Sequence, residues 1–129
     1  MPSITSSNWG SITLDNGVSV RDLIIRSTAA GNSHSAWYWN YLPEVMHHDP
    51  GLREVDVNHL ILDNSILPKN VILSTGRYNM LKISGRIVDY IRSKGINNVY
   101  VVNTDDAIRL YNSMEKDGIS VIALIHSTC

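Results

Sequence analysis

The last eight residues, "IALIHSTC", set His126 three positions before Cys129, the one cysteine of the chain. A thiolate with an imidazole base in reach is a nucleophile, provided donors nearby stabilise the developing oxyanion. The spacing argues against that use. Residues three apart on an extended strand point to opposite faces, so the two side chains meet only if the chain turns after Ile125. A terminal carboxylate beside Cys129 would also favour the thiol over the thiolate by like-charge repulsion. Prenylation needs cysteine fourth from the end, which this sequence does not offer. The segment reads as the end of a strand, and no catalytic residue is assigned.

The stretch "STGRYNMLKIS" has more to offer. It lies between an aliphatic run and a helix start, the place where open α/β sheets put ligands. Gly76 permits a sharp turn, Arg77 and Lys82 supply positive charge, and the amides after Ser84 stand at a helix N-terminus suited to an anion. A phosphate-cradling loop has two glycines with lysine directly after the second, whereas Gly76 stands alone and Lys82 follows six residues later. Gly76, Arg77, Lys82 and Ser84 are therefore the candidate anion-binding set, weighed against a plain strand-to-helix connection with solvated charges.

Five histidines raise the question of metal. His47, His48 and Asp49 are consecutive, and adjacent ligands in a loop rarely close a site alone. His34, His59 and His126 fall in separate elements without paired spacing, and Asp56 and Asp63 flank His59 at helical spacing as local ion partners would. No metal ligand and no cofactor is assigned. The aromatic run "AWYWNYL" places Trp37, Trp39 and Tyr41 on one side of an extended segment. Trp37, Tyr38 and Trp39 are the candidate protein-binding residues if part of the cluster is exposed; covering a sheet face is the competing use. A stacking platform for nucleic acid would want a basic stripe, which is missing here.

These residues need elements to hold them. Ser11 to Leu14 and Val18 to Ile25 are aliphatic and β-branched, and "DNG" between them signals a hairpin. Val55 to Leu62 has helical spacing. From Val71 onward strands and helices alternate, which implies parallel strands with crossover helices. "NVILST" is a buried strand. Ser84 caps a helix whose Ile87, Val88 and Ile91 form its stripe and which stops at Gly95. "NNVYVVN" is the next strand. Thr104, with Asp105 and Asp106 in the first turn, starts a second helix whose inner face is Ala107, Tyr111 and Met114 and which ends at Gly118. "ISVIALIHS" closes the unit. The fold class is mixed α/β: an N-terminal β-hairpin plus a βαβαβ unit around a central mixed sheet.

At 129 residues, one domain over 1–129 is expected, with an ordered core over about 8–129, long enough to fold without disulfides. Twelve acidic and eleven basic side chains nearly cancel, so the balance advertises neither nucleic acid nor an anionic membrane as partner. No apolar run approaches the roughly 20 residues that span a bilayer, and "MPSITSSNWG" has neither an apolar signal core nor presequence arginines. A cytoplasmic location is expected, with an unidentified protein as partner and no statement on oligomeric state.

Several short features match one family in order and spacing: "WG" at Trp9, "WYW" at Trp37 to Trp39, "PG" at Pro50, "TG" at Thr75 with "LK" at Leu81, "YN" at Tyr111 and the closing "HSTC". From about Trp9 to Cys129 the chain resembles the Mth-type domain family, particularly its eukaryotic branch associated with adipogenesis. Mitochondrial complex I assembly factors are related to it. The resemblance implies a compact three-layer fold around a mixed sheet, a regulatory role and no established reaction. It also implies a glycine two positions before Gly76. Here that position is Ser74, which weakens any ligand loop built on paired glycines.

Overall fold

The computed structural model describes residues 3–15, 17, 19, 20, 22–27, 67–76 and 83–127. Seven strands and two helices are seen among them: β1 (Ile4–Asn8), β2 (Ser11–Leu14), β3 (Ser19–Val20), β4 (Asp22–Arg26), β5 (Asn70–Ser74), α1 (Gly85–Ser93), β6 (Asn98–Val102), α2 (Thr104–Lys116) and β7 (Val121–His126). The first three form an antiparallel sheet in the order β1-β2-β3, and the other four form a mixed sheet in the order β4-β7-β5-β6.

The expected hairpin is present between β2 and β3, with Ile12 opposite Val20. The single strand expected over Val18 to Ile25 is not. It divides after Val20, and β4 leaves the small sheet to pair antiparallel with β7, Leu23 facing Ile125 and Ile25 facing Ala123. Leu23, Ile24 and Ile25 are all buried, which marks a strand covered on both faces rather than the half-exposed arm of a hairpin. On the other side of β2, β1 adds a strand that the sequence reading did not assign. Its polar run Thr5, Ser6, Ser7 conceals the strand, because the residue tying β1 inward is Ile4, the only buried one.

The βαβαβ unit is present as read. β5 pairs in parallel with β6 on one side and with β7 on the other. The chain therefore steps from β5 outward to β6 and returns across β5 to β7. Right-handed crossovers in opposite directions place their helices on opposite faces of a sheet. The packing agrees. α1 buries Ile87 and Ile91 against Val71, Leu73, Ile122, Leu124 and Ile24. α2 buries Ala107, Tyr111 and Met114 against Ile72, Ala123, Ile125, Leu23 and Ile25, and Ile12 and Leu14 of the small sheet join that same core. Alternate residues of one strand thus face different helices. The layers are α1, the mixed sheet, and α2 with the small sheet: a three-layer, mixed α/β single domain.

Both helix ends obey local chemistry. α1 is capped by Ser84, whose Oγ accepts from the Ile87 amide at 3.4 Å, and it stops at Gly95 with φ +96°. α2 starts at Thr104, as its sequence predicts. Its N-cap is Asn103, whose Oδ1 accepts from the Asp106 amide at 2.9 Å, and Thr104 is the first helical residue. Asn is the better capping type of the two, and the buried Thr104 hydroxyl bonds elsewhere, to the His126 carbonyl.

Candidate functional site

Parallel strands send their C-terminal ends to one edge of a sheet, and the crevice where the following loops leave toward opposite faces is the usual ligand position. Here that point lies between β5, which leads to α1, and β6, which leads to α2. Gly76 and Asn103–Thr104 sit there. Gly76 has φ +93°, a conformation that favours glycine, and its carbonyl accepts from the Thr104 amide at 3.1 Å. One residue back, the Thr75 amide donates to the Val102 carbonyl at 2.8 Å, and the Thr75 hydroxyl reaches the same carbonyl at 3.3 Å. The two loops are thus joined to each other across the crevice.

The same edge includes the end of β7. The backbone register between β5 and β7 runs to Leu73 opposite Leu124, after which β5 turns away toward β6. His126 stays in register with Asp22 of β4, but on its β5 side the ladder has ended. Two side chains take over there: the His126 amide donates to Ser74 Oγ at 2.7 Å, and the Thr104 hydroxyl donates to the His126 carbonyl at 2.5 Å. Ser74, Thr104, His126 and Ser127 are all buried. The turn Trp9–Gly10 closes the group, with Gly10 at φ +79° and its amide directed at the Ser127 carbonyl at 3.3 Å. Trp9 itself remains 59% exposed.

The sequence candidates are distributed unevenly over this edge. Gly76 is at its centre, and Ser84 is at the start of α1, exposed and engaged as a cap. Arg77, Lys82, Trp37, Tyr38, Trp39 and Cys129 lie outside the described residues, as do His34, His47, His48, Asp49, Asp56, His59 and Asp63. Among the described residues, no group of three or more His, Cys, Asp or Glu gathers in metal-binding range. The residues the sequence did not single out for this edge are Ser74, Asn103 and Trp9, and Thr104 was read only as a helix start. Ser74 and Asn103 each close an apolar run, in "VILS" and "VYVVN", whereas Trp9, after "ITSSN", carries no such signal. Ser74 is instructive, since a glycine at that position could not accept the His126 amide.

The opposite edge, at the N-terminal ends of the parallel strands, is also polar and also internally paired. Ser27 Oγ donates to the Ile119 carbonyl at 2.9 Å and accepts from the Val121 amide at 3.0 Å; Asn70 Nδ2 donates to the Ser120 carbonyl at 2.9 Å. Tyr111 donates to the Arg26 carbonyl at 3.1 Å with Glu115 Oε2 at 3.4 Å. Burial, followed by the Glu115 charge, holds the phenol far above its ordinary pKa, and burial lowers that of the Arg26 guanidinium. Beside Tyr111, the Asn112 amide clasps β1, accepting from the Ile4 amide and donating to the Ile4 carbonyl, each at 2.9 Å. The "YN" pair is therefore a fastening between α2 and two strands.

The whole chain has close structural counterparts. A conserved hypothetical protein from Pyrococcus horikoshii OT3 superposes with a TM-score of 0.74 at 18% identity, covering 98% of this chain and 99% of its own. The solved protein MT938 gives 0.71 at 21% identity over 100% of both chains, and an outer membrane protein from Bartonella henselae gives 0.68 at 17% over 99% of this chain and 96% of its own. At such identities the likeness is one of fold. A family model described as "Protein of unknown function (DUF498/DUF598)" matches residues 4–126, from the first residue of β1 to the last of β7, and the chain belongs to that family.

Proposed function

We propose that this chain is a non-enzymatic, cytosolic interaction protein of the Mth type, with a regulatory role akin to that of the adipogenesis-associated branch. The observation that supports this reading is how the C-terminal edge of the sheet is used. The polar atoms at the switch point are engaged with one another, Thr75 with Val102, Gly76 with Thr104, and His126 with both Ser74 and Thr104. Groups committed to holding strand ends together are poorly placed to turn over a substrate. The large apolar ring at this edge, Trp9, projects from a hairpin turn, and exposed tryptophan is the residue type most enriched at protein-binding hot spots. Trp37, Tyr38 and Trp39 extend the proposed contact chemistry in sequence. The test is affinity capture from cytosol with wild type, Trp9→Ala and the Trp37→Ala/Trp39→Ala double variant. A partner held by wild type and lost by either variant, with circular dichroism unchanged, is the expected result. Equal capture by all three folded proteins refutes the reading.

A second reading rests on Gly76 and Ser84. A left-handed glycine at a strand end and a capped helix start on the same edge suit a small anionic metabolite, with Arg77 and Lys82 as its charge partners. Thermal stabilisation by phosphate or sulfate that disappears in Arg77→Ala/Lys82→Ala would favour it; no stabilisation eliminates it. A role like that of complex I assembly factors is the interaction reading with a respiratory partner, distinguished by what the capture experiment retains.

A further inference from the structure

β6 is the outermost strand of the mixed sheet, and among the described residues it has a neighbour on one side only. Exposed strand edges invite pairing, and proteins normally blunt them with charge, proline, a bulge or short length. The edge strand β1 carries such a device, a register shift between Ile4 and Ser6. β6 carries none of them. Its sequence is Asn-Val-Tyr-Val-Val, and its register with β5 runs without interruption from Asn98 to Val102.

The phase of this edge follows from one bond. The Val102 carbonyl accepts from the Thr75 amide, so the backbone groups of Val102, and by alternation those of Tyr100 and Asn98, point toward β5. Those of Val99 and Val101 point outward. Val101 also presents a side chain that is 39% exposed on the face shared with α1.

We infer that β6 pairs antiparallel with β6 of a second copy of this chain about a two-fold axis beside Tyr100, joining the two mixed sheets into one. The strand is suited to itself for a physical reason. A two-fold there sets Val99 of one copy opposite Val101 of the other, and reciprocally, so every outward donor meets an outward acceptor over the full length of the strand. Axes centred on Val99 or Val101 leave part of the edge unpaired. The strand and its flanks, Asn97 and Asn103, carry no formal charge, so self-pairing meets no like-charge repulsion across the strands. Such an interface is isologous and closes at two copies.

The register makes the test specific. Tyr100 faces its own symmetry mate at a non-hydrogen-bonded position, where Cα atoms approach to about 4.5 Å, inside the range a disulfide spans. Val101 and its mate lie two residues out of register, beyond the roughly 7 Å limit. In a Cys129→Ser background, oxidation is expected to convert Tyr100→Cys, but not Val101→Cys, to a covalent dimer. Sedimentation of the full chain is expected to show a dimer that dissociates on dilution. Val101→Pro removes one outward donor per copy without touching the β5 ladder, and is expected to weaken association about 30-fold. Val101→Lys, which keeps the backbone intact, provides a second disruption should the proline variant fail to fold. A wild type that stays monomeric at all concentrations overturns the inference, as does protection of the Val99 and Val101 amides in that monomer. A dimer unaffected by Val101→Lys, or equal cross-linking at both cysteine positions, also overturns it.

Discussion

Thr104→Val isolates the bond that ends β7. The valine keeps the β-branched shape at a fully buried position and removes only the hydroxyl that donates to the His126 carbonyl at 2.5 Å. A hydrogen bond contributes about 1 kcal/mol net, but stranding a buried acceptor adds its desolvation, so the loss is set at about 1–3 kcal/mol. In a domain of this size that lowers Tm by roughly 3–10 °C. Ser74→Ala strands the His126 amide, bonded at 2.7 Å, and costs a similar amount. Both variants release the same backbone residue. The double variant therefore loses less than the sum of the singles, with a coupling of at least about 0.5 kcal/mol. Urea denaturation followed by far-ultraviolet circular dichroism measures all three, with a constant m-value confirming that the unfolding reaction is unchanged. Thr13→Val is the control. Its hydroxyl meets Ser19 Oγ at 2.8 Å on the surface, and removing it changes stability by less than about 0.5 kcal/mol. If Thr104→Val costs no more than Thr13→Val, the hydroxyls at this edge do not hold the strand end and the argument against a catalytic use of the edge loses its basis.

Asn103→Ala removes the cap of α2 and is expected to cost about 1 kcal/mol in the same urea assay, since Oδ1 bonds the Asp106 amide at 2.9 Å. Gly76→Ala forces a Cβ onto a backbone at φ +93° and is expected to lose roughly 1–2 kcal/mol, read as a lower urea midpoint. Ile91→Ala opens a cavity between α1 and the sheet at a fully buried site, with an expected loss of about 2–5 kcal/mol by thermal or urea melting. The Tyr111 phenol has a folded pKa raised above the ordinary value of about 10, so its stabilising contribution is complete below that pH and is lost as the pH rises beyond it. Tyr111→Phe should accordingly show a shallower decline in unfolding free energy between about pH 9 and 11 than wild type.

The hairpin between β2 and β3 was legible because the turn chemistry of Asp15 to Gly17 is local. So were α1 and the inner face of α2, where Ile87 and Ile91, then Ala107, Tyr111 and Met114, recur at helical spacing and are buried as that spacing requires. The break after Val20 was not legible, since a run that is apolar throughout does not say which sheet each part joins. β1 escaped for the opposite reason. Four of its five residues carry no inward apolar signal, and beside the ladder to β2 it is clasped by Asn112, more than a hundred residues away. Of the candidate site, Gly76 and Ser84 were singled out through turn and cap chemistry, whereas Ser74 was not, because closing an apolar run does not separate a hydroxyl that finishes a distant strand from one that faces water, and nothing local sets Trp9 beside Ser127.

The sequence by itself determined the alternation of strands and helices, which side of each helix turns inward, and where glycine must end a helix, because each depends on neighbours within one or two turns of chain. The tertiary structure decided what the polar residues are for. Asn103 is the better cap of the two even in isolation; what folding adds is a task for Thr104, whose hydroxyl donates to the His126 carbonyl, 22 residues on, at a buried place. His126, which began as half of a candidate catalytic pair, is fixed through its backbone by Ser74 and Thr104 at the point where the ladder between β5 and β7 runs out. An unmet backbone group in the interior costs too much to leave. That cost, invisible in any short stretch of residues, assigns the hydroxyls at this edge to holding the fold.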